Sequence, residues 1–131
     1  MTKILLIISI LLIQFNLEAS DAISNRLLLL CKDNDATACL KLGMGYHYGV
    51  SGVKIDAKEA IKYYKKSCDN PTRKQRSNSF SACNFLGKIY YNGELVRQDR
   101  SKAKHYYGLA CDGGIKEGCK QYRVLNELGI K

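Results

Sequence analysis

The sequence has one proline, two histidines, and no Cys-x-x-Cys pair among its six cysteines. Pro71 is therefore the only residue that forces a helix to stop. His47 and His105 lie far apart, and no cysteine has zinc-type spacing to another ligand, so neither a metal centre nor a metal-dependent mechanism is expected. Nothing in the sequence calls for a cofactor. Acidic residues are also scarce, 12 against 21 basic ones, for a formal net charge of +9 over 131 residues. A chain of this length forms one small domain with a thin core.

The N-terminus is set apart by composition. Met1-Thr2-Lys3 precedes the apolar run Ile4 to Ile13, and Leu17-Glu18-Ala19 ends in a small residue. This pattern predicts a secretory signal over 1–19, cleaved after Ala19, with the folded domain over 20–131. Read instead as a membrane anchor, the run would have to extend through Gln14 and Asn16 to reach the ~20 residues of a span. Cleavage removes Lys3 and Glu18, so the mature chain keeps its charge and has no transmembrane segment. Export, to the periplasm or outside the cell, makes nucleic acid an unsuitable partner for this basic protein. It also makes six cysteines a disulfide framework.

The remaining chain repeats itself. Residues 38–70 align with 82–114: Ala38-Cys39 with Ala82-Cys83, Leu42-Gly43 with Leu86-Gly87, Tyr46 with Tyr90, and Gly49 with Gly93. Further on, Asp56 aligns with Asp99, Ala60 with Ala103, Tyr63-Tyr64 with Tyr106-Tyr107, and Cys68-Asp69 with Cys111-Asp112. Cys83 and Cys119 are 36 residues apart, a period typical of helical hairpins.

Each repeat reads as two helices. In helix A, Cys39, Leu42, Gly43 and Tyr46 share one face, and glycines end it. Helix B starts at Asp56 or Asp99, with Glu59 completing a capping box in the first repeat. Gly43, Gly87, Ala60 and Ala103 would allow close approach, with Tyr46 and Tyr90 filling the space beside them. Ile23 to Cys31 resembles a lone helix B, and Gly118 to Leu128 a lone helix A with Tyr122-Arg123 in place of Leu-Gly. Atypical ends of this kind are expected of stacked arrays.

Every cysteine then lies at the end of a helix B or the start of the next helix A. Six cysteines allow 15 pairings. Repeat symmetry favours Cys31 with Cys39, Cys68 with Cys83, and Cys111 with Cys119. Such bridges contribute roughly 2.5–3 kcal/mol each by chain entropy. Three together would be comparable with the ~5–15 kcal/mol net stability of a small domain.

The pattern AC-x-x-LG-x-x-Y-x-x-G followed by D-x-x-KA-x-x-YY-x-x-ACD resembles the Sel-one-like repeat, a relative of tetratricopeptide repeats. Cysteine pairs eight apart resemble the Helicobacter cysteine-rich protein family. Two departures are Glu59-Ala60 for Lys-Ala and the insertion 70–81 between Cys68 and Cys83. The resemblance implies an all-α fold, a short right-handed α-solenoid of disulfide-stapled helical hairpins, monomeric, with helix A lining the concave face. Its implied function is to bind another protein or peptide there. The exposed concave positions would be Leu40, Met44, His47 and Tyr48, then Asn84, Lys88, Tyr91 and Asn92. His47 is the better placed of the two histidines to touch a ligand.

Arg73, Lys74 and Arg76 make the insertion a basic loop, either simply solvated or a contact for an anionic partner or membrane surface. The cysteine-rich family also implies penicillin binding and weak β-lactamase activity, with a β-lactam or cell-wall-like ligand. The Ser-x-x-Lys matches SGVK (51–54) and SKAK (101–104) are about what nine serines and fifteen lysines produce by chance. Neither Ser-Asp-Asn nor Lys-Thr-Gly accompanies them, so no catalytic residue is assigned.

Overall fold

The structure, a computed structural model, describes residues 1–50 and 52–131, with the side chains of Leu17, Ala19 and Ser20 left undescribed. The expected cleavage point after Ala19 and the serine of SGVK therefore lie outside the described residues. Six helices follow one another: α1 (Thr2–Lys32), α2 (Ala36–Tyr48), α3 (Ala57–Cys68), α4 (Arg76–Asn92), α5 (Arg100–Asp112) and α6 (Lys116–Glu127). Among the described residues there is no strand. Helices α2–α3 and α4–α5 form the two hairpins, while α1 and α6 stand as half-repeats at the ends, giving a short α-solenoid.

The hairpins start and stop by the same chemistry. The Asp56 carboxylate accepts from the Glu59 amide at 3.0 Å, and the Asp99 carboxylate from the Lys102 amide at 2.9 Å. Only half of the expected capping box forms. The Glu59 side chain pairs with Lys62 at 2.9 Å, because the Asp56 amide it would have reached donates to the Tyr46 carbonyl, also at 2.9 Å. Gly49 and Gly93 end α2 and α4 at φ 70°, a left-handed conformation that favours glycine.

The close approach is real but involves different tyrosines from those expected. A Cβ on Gly43 would meet the Tyr64 ring at 2.6 Å, and one on Gly87 would meet the Tyr107 ring at 2.6 Å. Tyr46 and Tyr90 instead stack beside the hairpin, on Tyr63 at 5.6 Å and Tyr106 at 5.7 Å. Tyr64 sits in the core with Ala60, Ala82, Leu86 and Ile89, all at 0% exposure.

Two expectations about the ends of elements are corrected. The N-terminal half-repeat is not a separate helix from Ile23. It is the last third of one 31-residue helix, Thr2–Lys32, that is long and apolar enough to cross a membrane and whose apolar residues from Ile4 to Phe15 are exposed. The insertion 70–81 is only partly a loop, since α4 begins at Arg76 and extends helix A backward by about one turn.

That extension is tied down by polar contacts. Gln75 accepts from the Ala36 amide at 2.8 Å and donates to Asp35 at 2.7 Å, and Asn78 donates to Thr37 at 2.7 Å. The buried Ser79 hydroxyl donates to the Asn70 carbonyl. Phe80 lies directly over Gly113, where a Cβ would overlap its ring.

Sulfur bridges join Cys31–Cys39, Cys68–Cys83 and Cys111–Cys119, and no cysteine is free. Each therefore ties the end of one helix B to the following helix A. Persistent disulfides imply an oxidising compartment.

Candidate interaction surface

The inner side of the array is set by which helices touch. Helix α2 packs on α4 and α4 on α6, whereas among the described residues α1, α3 and α5 do not pack on one another. The three A helices thus lie on the shorter, inner edge of the curve.

The sequence-predicted positions on these helices divide into two groups. Tyr48, Lys88 and Asn92 are exposed, and Met44 and Tyr91 are half-buried. Leu40 instead belongs to the core between α2 and α4 at 8% exposure. Asn84, one repeat along from Leu40, is half-buried, and its side-chain oxygen is enclosed without a hydrogen-bond partner among the described residues.

His47 is corrected most. It is 8% exposed, so it is a structural centre of this surface rather than an open ligand. Its Nδ1 lies 3.2 Å from the Tyr64 hydroxyl, and its Nε2 lies 3.6 Å from a Glu94 carboxylate oxygen. The neutral ring fits both contacts, with Tyr64 donating to Nδ1 and Nε2–H facing Glu94. Tyr48 stacks over the ring at 4.1 Å. Asn92 donates to the other Glu94 oxygen at 2.7 Å.

Burial holds the His47 pKa below its usual value, while Glu94 pulls it up and Lys88 pushes it down. Burial likewise raises Tyr64, and raises Tyr107 to about 12. The cluster joins α2, α3 and the turn after α4, so it also couples the two repeats. Glu94 was not legible as part of it. The one signal was an acid at the position where the first repeat has Val50.

The basic residues of the insertion are not brought to this cluster. Arg73 and Lys74 are exposed in the turn before α4, and Arg76 is the first residue of α4, not a loop residue. Tyr91 and Asn92 are at the other end of that 17-residue helix, about 25 Å away at 1.5 Å per residue.

The SKAK match opens α5. Ser101 is exposed and lines a shallow cleft of about 330 Å³ with Lys104 and His105. Lys104 is engaged elsewhere, donating to the Ile130 carbonyl and lying over the Tyr122 ring. His105 is exposed beside Tyr106, as a surface residue would be.

Comparison with known proteins agrees with this architecture. The model of the Sel1 repeat matches residues 36–71 and 80–115. Human cytochrome c oxidase assembly factor 7 is 33% identical over 93 residues, covering 68% of this chain and 38% of that protein. The corresponding protein of Xenopus tropicalis is 33% identical over 92 residues with the same coverage. The Sel1-repeat-containing protein YjcO of Escherichia coli K12 is 30% identical over 99 residues, 71% of this chain and 38% of its own length. The chain thus spans about two fifths of the relatives it matches. With both repeats matched over more than half its length and folded as consecutive helical hairpins, the chain belongs to the Sel1 repeat family.

Proposed function

We propose that this is an exported interaction module that holds a protein or peptide partner against the inner face of the array. The observation that carries this reading is the strip of Met44, Tyr48, Lys88, Tyr91 and Asn92, which retains accessible aromatic, flexible and hydrogen-bonding groups on helices locked by core and disulfide. Rigid placement of such groups lowers the entropy lost on binding. The similarity to proteins named as assembly factors supports a role in handling other proteins. An oxidising compartment and the apolar N-terminal run support export, with cleavage after Ala19 leaving the domain 20–131. The pairs Cys31–Cys39 and Cys111–Cys119, each eight apart, support membership of the Helicobacter cysteine-rich group. Arg73, Lys74 and Arg76 serve as a separate basic edge that speeds encounter with an anionic partner.

β-Lactam hydrolysis is the weaker reading, since Ser101 is exposed and Lys104 is committed. Turnover of nitrocefin by the pure protein is expected to be slow at most and unchanged by Ser101→Ala.

The test is photo-crosslinking in the native compartment, with a photoreactive residue at Tyr48 or Lys88 on the inner side and at Lys58 or Arg100 on the outer. Discrete adducts from the inner positions alone are expected. Equal labelling from the outer positions would refute the inner-face assignment.

A further inference from the structure

One cleft opens at the N-terminal end of the array, where it meets the strip just described at Met44. It has a volume of about 340 Å³ and is lined by Ile23, Leu27, Lys41, Met44 and Val50. Counted from the cysteines, each of these positions has a counterpart one repeat along, and those of Ile23 and Leu27 are buried there, that of Lys41 is half-buried, and those of Met44 and Val50, Lys88 and Glu94, are exposed. Ile23 and Leu27 stand where Ala60 and Tyr64 stand, and that face of α3 is covered by its own helix A, with Gly43 against the Tyr64 ring. Lys41 stands where Phe85 stacks on Tyr64 at 5.3 Å. Val50 stands where Glu94 reaches back to His47 of the preceding helix A.

The cleft is therefore the repeat-to-repeat seat with its helix A missing. Among the described residues, α1 is packed only against α2, so no helix A of its own covers this face. Ile23 is consequently 53% exposed, whereas its counterpart Ala60 is fully covered.

We infer that this seat accepts a short amphipathic helix from another protein, docked as helix A docks on helix B, with glycine or another small residue over Leu27. The internal repeats supply the template for this chemistry. A partner helix needs a small residue at the place of Gly43, and an apolar or aromatic residue at the place of His47, because Val50 offers it no carboxylate. A second copy does not meet the first requirement. The lone helix A of this chain, α6, carries Arg123 where α2 and α4 carry Gly43 and Gly87, and so large a side chain blocks the approach. This site adjoins the inner strip at Met44, but Ile23 and Val50 lie outside that strip, so either reading can fail without the other.

The probe is a side-chain-stapled peptide with the sequence of residues 80–92 and Cys83→Ser, titrated into the full oxidised chain. Its Gly87→Leu variant is the control. The glycine peptide is expected to bind and to shift the methyl resonances of Ile23, Leu27, Met44 and Val50, while the control binds at least tenfold more weakly. Substitution Ile23→Glu or Val50→Glu, both at half-exposed positions, is expected to weaken binding at least tenfold with the melting temperature unchanged. Equal affinity for the two peptides would overturn the proposal, as would binding insensitive to both glutamates. Concentration-dependent self-association abolished by Val50→Glu would overturn it too, by seating a second copy there.

Discussion

Replacing Gly43 with alanine sets two effects of similar size against each other. In a helix interior, alanine is favoured over glycine by about 1 kcal/mol. Here the added Cβ would fall 2.6 Å from a carbon of the Tyr64 ring, which is tighter than real contacts allow. The ring cannot easily yield, because it is fully buried, stacked on Phe85 and tied through its hydroxyl to His47. Overpacking of this kind costs ~1–3 kcal/mol. Because the ring is held on every side, the crowding should win, with a net loss of up to about 2 kcal/mol. For a domain near 100 residues that corresponds to a fall of up to about 15 °C in melting temperature.

Gly108→Ala provides the contrast. Its Cβ would meet the edge of the half-buried Tyr122 ring at 3.2 Å, where a small shift suffices, so the helix preference should win and stability should hold or rise. Thermal melts of the two oxidised variants, followed by circular dichroism, compare them directly. In a Tyr64→Leu background the cost of Gly43→Ala should vanish. The packing argument is refuted if Gly43→Ala stabilises as much as Gly108→Ala, or if its cost survives removal of the ring.

The pH dependence should trace to His47, whose folded pKa lies below the unfolded value of 6.5. The unfolded chain then binds the extra proton first, so stability is complete above about 6.5 and falls as pH drops from there through the folded pKa. Denaturant midpoints should decline over that interval, and His47→Gln should flatten the decline. The insertion gives a further prediction: Gln75→Ala removes partners from Ala36 and Asp35, and should cost about 1–2 kcal/mol in urea unfolding. If Gln75→Ala costs no more than Arg73→Ala in the exposed turn, the insertion is a passive loop after all.

The hairpins were legible because their determinants are local. Asp56 and Asp99 cap helices three residues away, Gly49 and Gly93 end them, and cysteines at repeat boundaries pair across short turns. The tyrosine assignment failed for a geometric reason: Tyr46 and Tyr64 both have the right helical phase, and only the packed hairpin reveals which ring faces Gly43. The insertion was misread because Ser77, Asn78 and Ser79 have the composition of a loop. Their helix is secured by partners distant in sequence, Gln75 to Asp35 above all. His47 was misread similarly, since its burial depends on Glu94, which arrives from the next repeat.

The placement of the three sulfur bridges has a mechanical consequence. Each short-circuits the passage from one repeat to the next, so a chain pulled at Cys31 and Cys119 can lengthen only between Cys39 and Cys68 and between Cys83 and Cys111. Each of these lengths pays out about 100 Å at roughly 3.5 Å per residue. Under tension the oxidised molecule should therefore yield in two nearly equal steps. The extra residues 70–81 lie inside the loop closed by Cys68 and Cys83 and bear no load until that bridge is reduced.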